Sequence, residues 1–252
     1  MQEQHPLTCP ATNRPDLCDG TFSEFCDMTP PYTNITSILR HYGQDDLLEF
    51  MDRYWLAASS VPHAHPHPFP TQPAQSKPRK SQLTRVSYGH SGPNTNLWHH
   101  EYAKHATCIN TLSPACYGTS HTPGLEVVDY FTRAAALFRT LDTYRALEKA
   151  RIVPHPRRLY PRADVQRALE RFNGGRVVLR CTRSGEHDAD GGDGGDASSG
   201  GDVLHEVRYV YFVRGSLQTG QFVPVQELGE KGDVGNCASE VRYLPKRGRG
   251  EL

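Results

Sequence analysis

The sequence predicts helices followed by a pair of antiparallel strands, and three observations carry that prediction. Apolar residues recur at helical spacing before residue 60 and again over a long central stretch; period-two strand text is confined to the last third; and a Gly-rich segment separates the two strand candidates. The 252 residues allow one large domain or two small ones. A 37% hydrophobic content, a mean hydropathy of −0.62, 19 Pro and 22 Gly assign part of that length to solvated linker. The 28 Lys+Arg balance 28 Asp+Glu, which excludes a global basic field, so a polyanion would have to be gripped locally. No apolar run approaches the roughly 18 residues of a spanning helix, so no membrane partner is expected.

In chain order, Cys18 to Leu56 reads as a loop and then a helix, with Ser37-Ile38-Leu39 and Leu47 to Met51 at helical spacing and Tyr54-Trp55 closing the run. Residues 61–92, with His63, His65 and His67 among prolines and a basic Lys77-Pro78-Arg79-Lys80, read as an extended surface insert. Its histidines are assigned to linker in preference to a metal tract. A second ordered block starts near Asn96. Its clearest helix is Glu126 to Lys149, with Val127, Phe131, Ala134, Leu137, Phe138, Leu141 and Leu147 on one core-facing side. Ala163 to Phe172 is a further helix, stopped by Gly174-Gly175. Arg176 to Cys181 and Val203 to Val213 are two antiparallel strands, and residues 185–202 are a Gly/Asp-rich hairpin insert without the spacing of a calcium loop.

Seven cysteines without paired C-x-x-C spacing point to disulfides in an oxidising compartment, with one cysteine left over. The sequon Asn34-Ile35-Thr36 agrees with that compartment. Met1 to Pro6 shows no charged stretch leading into an apolar core, so no signal peptide is visible, and the two indications conflict.

The chemistry concentrates in Trp98 to Cys108. On a helix, His100 stacks with Lys104 and Glu101 with His105, each as an i, i+4 pair, and all four share one side. Two imidazoles, a carboxylate and a cation aimed together suit phosphoryl transfer, with one imidazole moving a proton and Lys104 stabilising charge on oxygen. A zinc hydrolase helix would need His-Glu-x-x-His, but Lys104 stands four residues after His100. A solvated charged face is the bland alternative in a chain with 13 His.

The run His100-Glu101-Tyr102-Ala103-Lys104-His105-Ala106-Thr107-Cys108, preceded by Trp98, resembles the second active-site segment of the ribonuclease T2 family of secreted or vacuolar endoribonucleases. Asp16 to Phe22, Phe25-Cys26-Asp27, Ser113 to Tyr117, Val128 to Phe131, Gly215 to Gly220 and Tyr243 to Lys246 resemble further blocks of its fungal branch, in order. The resemblance spans about residues 15–246 as a single domain over 1–252. It implies an α+β fold in which an antiparallel sheet packs with helices. It also implies base-nonspecific cleavage of single-stranded RNA through a 2′,3′-cyclic phosphate at acid pH, with no cofactor, no metal and no obligate protein partner, and an extracellular or vacuolar location. By the same resemblance His105 is the general base, Glu101 and Lys104 position and neutralise the phosphoryl group, and His100 binds phosphate. Asp16 hydrogen-bonds the upstream base, Phe22 stacks on it, and Leu97 occupies the place of an aromatic for the downstream base. Cys26 pairs with Cys108 and Cys181 with Cys237, while Cys18 and Cys116 both look toward the N-terminal side, where only Cys9 stands.

One departure bears on activity. The family's first active-site segment supplies a second catalytic His and a Trp, and here the residues ahead of Asp16 are Ala11-Thr12-Asn13-Arg14-Pro15. Ala11 stands in place of that His and Arg14 in place of that Trp, and the family's early sheet strands have no counterpart in this text. The expectation is a family endoribonuclease with reduced activity, or alternatively an RNA-binding protein that retains the phosphate and base sites.

Overall fold

The computed structural model describes residues 23–27, 32–57, 94–182, 202–230 and 232–245. Ala11, Arg14, Asp16, Phe22, Cys9, Cys18, the Pro/His-rich insert at 61–92 and almost all of the insert at 185–202 lie outside the described residues.

Two short helices form where one was expected: α1 (Ile35–His41) and α2 (Asp45–Tyr54). Asn34 caps α1, its Oδ1 accepting the Ser37 N–H at 3.0 Å, and Gly43 at φ +66° turns the chain between the helices in a conformation that side chains other than glycine rarely adopt. Ile35 and Leu39 of α1 and Leu47, Leu48 and Met51 of α2 are buried. They pack with α3 (Asn94–Lys104) and α4 (Leu125–Phe138) into one helical core, completed by Trp98, Val127, Phe131 and Ala135.

The predicted helix over Glu126 to Lys149 is two helices, because Asp142 caps α5 (Thr143–Lys149) by accepting the Arg145 N–H at 3.0 Å. The break carries the chain from one core to another. Val127 and Phe131 are buried in the first, Leu147 in the second, and Phe138, expected to face the core, is 50% exposed. The second core sets α5 and α6 (Arg162–Asn173) against a four-stranded sheet in the order β1 (Leu159–Pro161), β6 (Glu240–Arg242), β3 (Asp202–Tyr209), β2 (Val177–Thr182). Gly174, at φ +75°, ends α6 as the sequence predicts.

β2 and β3 pair antiparallel, and β6 pairs antiparallel with β1 but parallel with β3, through Asp202↔Val241 and Val203↔Arg242. The strand predicted over Val203 to Val213 divides at Val210. β2 begins at Val177 opposite Tyr209, so β3 has no neighbour beyond that point, and β4 (Tyr211–Arg214) turns away to pair with β5 (Gln221–Pro224). The Cys181–Cys237 disulfide ties β2 to the segment leading into β6.

At the entrance to α4 the Glu126 carboxylate is only 2% exposed; its Oε1 accepts the Tyr32 hydroxyl at 2.9 Å and its Oε2 lies 3.1 Å from His121 Nε2. Burial, then the hydrogen bond to Glu126, push the Tyr32 hydroxyl up to about 12, and burial raises Tyr102 and Tyr130 as well. An unfolded tyrosine ionises near 10, so above about pH 10 the native state holds more protons than the unfolded chain. This stabilisation is complete below pH 10 and is lost as pH rises through the folded values. Urea midpoints are therefore expected to hold steady toward pH 10 and fall between 10 and 12, with a shallower fall in Tyr32→Phe; an equal fall in that variant would remove Tyr32 from the account.

Candidate active site

α3 buries Leu97, Trp98, Tyr102 and Ala103 on one side. Trp98, 1% exposed, donates its indole N–H to the Trp55 carbonyl at 3.0 Å, and Asn94 Oδ1 accepts the Ala57 N–H at 3.0 Å, so the start of the helix is pinned to the end of α2. The helix closes at Lys104 and a 3₁₀ turn follows over Ala106–Cys108. His105, between them, still donates its backbone N–H to the Glu101 carbonyl at 3.1 Å, and so lies one helical turn beyond Glu101.

His100, Glu101 and His105 come together. Each offers one ligand-type atom, and these atoms lie within 4.8 Å of one another. The two imidazole centroids are 6.1 Å apart with rings crossed at 85°. His105 is 2% exposed and is one of two fully buried polar residues among those described. Lys104, the residue before His105, is engaged by Glu24, Nζ to Oε1 at 2.9 Å. Two imidazoles and a carboxylate could hold a divalent cation. The cationic Lys104 beside them opposes that occupant and favours an anion such as a phosphate.

Four contacts hold the segment around Phe25 against the end of α3: the Glu24–Lys104 ion pair, the Phe25 N–H donated to the Lys104 carbonyl at 2.9 Å, the Phe25 ring 6.2 Å from that of His100, and the Cys26–Cys108 disulfide. Phe25 adopts φ +51°, which is rare for a bulky side chain and is stabilised by these flanking contacts. From the other side the buried Tyr130 of α4 donates its hydroxyl to the Glu101 carbonyl at 3.5 Å. Glu24, Phe25 and Tyr130 are the neighbours that sequence reasoning missed. The signal for the first two was the pairing of Cys26 with Cys108, which brings the residues before Cys26 to the helix end.

Leu97 is 8% exposed and packs within the helical core. Asn34 is exposed. Cys116 is exposed and unbridged, its Sγ 3.3 Å from the Asn110 carbonyl. Among the described residues no helix is long and apolar enough to cross a membrane.

The model of the Ribonuclease T2 family matches residues 12–191. Ribonuclease Trv of Hypocrea rufa is 34% identical over 233 residues, which cover 92% of this chain and 76% of that protein. Ribonuclease T2 of Aspergillus oryzae is 32% identical over 234 residues, covering 92% of this chain and 65% of that protein, so the chain spans somewhat under two thirds of the latter. Among solved structures, the T2 ribonuclease Actibind is similar with a TM-score of 0.66 at 30% identity, covering 93% of this chain and 78% of that one. RNase NT, solved with 5′-AMP, shares the fold with a TM-score of 0.52 at 17% identity, covering 92% of this chain and 80% of that one. With the segment from Trp98 to Cys108 folded as a helix end that gathers His100, Glu101 and His105, and with relatives of this identity along nearly its whole length, the chain belongs to the ribonuclease T2 family of endoribonucleases.

Proposed function

We propose that this chain cleaves single-stranded RNA by transphosphorylation without a metal, and that His105, Glu101, Lys104 and His100 carry the reaction. The gathering of His100, Glu101 and His105 within 4.8 Å is the observation that supports it best. In this reading neutral His105 takes the 2′-hydroxyl proton and the 2′-oxygen bonds to phosphorus. The bond from phosphorus to the 5′-oxygen breaks, and a protonated group returns a proton to that oxygen, leaving a 2′,3′-cyclic phosphate. Glu101 and Lys104 orient the phosphoryl group and offset its charge, and His100 holds a non-bridging oxygen. One imidazole must be neutral and one proton donor charged, which favours mildly acidic pH. Asp16 and Phe22 contact the upstream base. Leu97, packed in the core, is suited to anchoring the helix more than to stacking on the downstream base.

An extracellular or vacuolar location belongs to the same reading, supported by two disulfides and by the exposed sequon. Asn34 caps α1 through Oδ1, which leaves Nδ2, the atom a glycan would take, outside the cap bond. The second reading, RNA binding with little cleavage, is favoured by one feature: Ala11 and Arg14 stand where the family's first segment has His and Trp.

RNA cleavage at mildly acidic pH in excess chelator, compared with His105→Ala and with Ala11→His/Arg14→Trp, decides between them. Chelator-resistant formation of cyclic phosphate that disappears in His105→Ala supports the enzyme. Cleavage only by the double variant supports the binding protein, and chelator-sensitive cleavage sinks the metal-free mechanism. Removing the charge that engages Lys104 has its own expected effect. Glu24→Gln should lower KM for RNA by roughly 3- to 5-fold, the equivalent of an ion pair worth up to about 1 kcal/mol, and steady-state kinetics at low salt would read it.

A further inference from the structure

The chain has no net charge, yet residues 139–182 hold eleven Lys or Arg against four Asp or Glu. Three of those acids are matched to arginines: Asp142 with Arg145 at 3.7 Å, Asp164 with Arg167 at 2.8 Å and Glu170 with Arg176 at 2.8 Å. The fourth, Glu148, accepts the Tyr144 hydroxyl at 3.4 Å. Lys149, Arg151, Arg157 and Arg158 are exposed, and none lies within ion-pair distance of a carboxylate among the described residues.

Hydrogen bonds fix the backbone that carries these four residues. After α5 the Arg151 N–H donates to the Glu148 carbonyl at 2.8 Å and the Ile152 N–H to the Leu147 carbonyl at 2.9 Å, with Leu147 and Ile152 both buried in the second core. This is the helix-ending motif whose left-handed position ordinarily carries glycine. Here Arg151 occupies it at φ +60°. An arginine held in that conformation costs stability that glycine would not, and points to a use for its charge. Further along, the Tyr160 hydroxyl donates to the Val153 carbonyl at 2.7 Å, the His155 N–H donates to the Tyr243 carbonyl at 2.8 Å, and His155 Nδ1 accepts the N–H groups of Arg157 and Arg158 at 3.1 and 2.9 Å. Two tyrosines belong to the same stretch of structure, Tyr144 on α5 and Tyr243 through its carbonyl, which accepts the His155 N–H. Tyr144 is 48% exposed and Tyr243 is half-buried.

We propose that this preformed face, Lys149, Arg151, Arg157 and Arg158 flanked by Tyr144 and Tyr243, binds the phosphates and bases of single-stranded RNA away from the cleavage centre. Unpaired cations accompanied by aromatic rings are what tracks a single strand without reading its sequence, because every base has a π-face. The face lies on the second core, whereas His100, Glu101 and His105 are borne by the helical core. It would hold a long strand while a dinucleotide at the cleavage centre would not reach it. The ligand class is that of the proposed substrate, but no step of cleavage is needed for binding here.

The test measures affinity for a non-cleavable 2′-O-methyl oligonucleotide of roughly 16 nucleotides and for a dinucleotide, across a salt series, with the full chain, Arg157→Gln/Arg158→Gln, Arg151→Gly and His105→Ala. The double variant is expected to bind the long strand about 10-fold more weakly, with dinucleotide affinity unchanged and a salt slope shallower by about 0.7 for each phosphate no longer neutralised. Arg151→Gly is expected to lose affinity while its Tm stays level or rises, which a purely structural role for Arg151 would not produce. His105→Ala is expected to keep the long-strand affinity, so a chain that binds this way yet cleaves nothing leaves this inference standing while the proposed catalysis fails. Unchanged affinity and slope in both arginine variants would overturn the inference. So would variants that keep RNA binding but lose binding to vesicles of anionic phospholipid, since the face would then be a membrane-binding surface.

Discussion

His105→Ala is expected to lower the cleavage rate by about 10²- to 10⁴-fold, the contribution of a positioned acid or base. The loss should fall on kcat more than on KM, because His100 and Lys104 would still hold the phosphate. His105 is 2% exposed and begins the turn that leads into Cys108, so truncation also leaves a cavity and costs stability. His105→Asn separates the two effects, since it keeps a polar side chain of closer volume but has no group able to take a proton near neutrality. Equal loss of kcat in both variants, with urea unfolding showing Asn to be the more stable, is the expected pattern. Retention of kcat in the Asn variant would remove the general-base role. Where the unaltered chain is too slow to measure, the comparison is made in the Ala11→His/Arg14→Trp background.

Replacing Cys26 and Cys108 together by serine should have the second largest effect. That bridge closes a loop with a sequence separation of 82, for which chain-entropy reasoning gives about 4–5 kcal/mol. The Cys181–Cys237 bridge, with a separation of 56, comes to about 4 kcal/mol on the same reasoning, since the dependence on length is logarithmic. Stability therefore barely distinguishes the two bridges, and function should. Loss of the first also frees the segment that packs Phe25 against His100, so cleavage per folded molecule should fall along with the urea midpoint. Loss of the second, on the sheet side, should lower the midpoint and leave cleavage per folded molecule intact. Equal losses of specific activity in the two double variants would deny the first bridge any part in ordering the site.

Much of this was legible in the text of the chain because it depends on local rules. The helical turn puts Glu101 and His105 at i, i+4, and that periodicity survives into the 3₁₀ turn through the His105 N–H bond to the Glu101 carbonyl. Gly174 stopping α6 and the antiparallel pairing of β2 with β3 are equally local, one a matter of allowed φ and the other of alternation and turn text. What failed depended on partners distant in sequence. The stretch from Glu126 to Lys149 keeps a helical apolar pattern throughout, and only the existence of two cores explains why it breaks at Asp142 and leaves Phe138 half in solvent. The long strand text ending at Val213 divides because β2 offers no partner past Tyr209. The Glu24–Lys104 ion pair was equally out of reach, because it joins residues 80 apart that a disulfide and a backbone hydrogen bond bring together.

The sequence by itself determined the family and the helix that carries the imidazoles and the carboxylate, since these rest on residue identities at fixed spacing, and the two cysteine pairs followed from the family resemblance. Tertiary structure alone decided how far His105 is buried, which acid meets Lys104, and that Lys149, Arg151, Arg157 and Arg158 are exposed with no carboxylate at ion-pair distance among the described residues. The physical reason is that burial and charge pairing depend on which surfaces meet across a core, and a periodicity of 3.6 or 2 says which side of an element is apolar without saying what it will face.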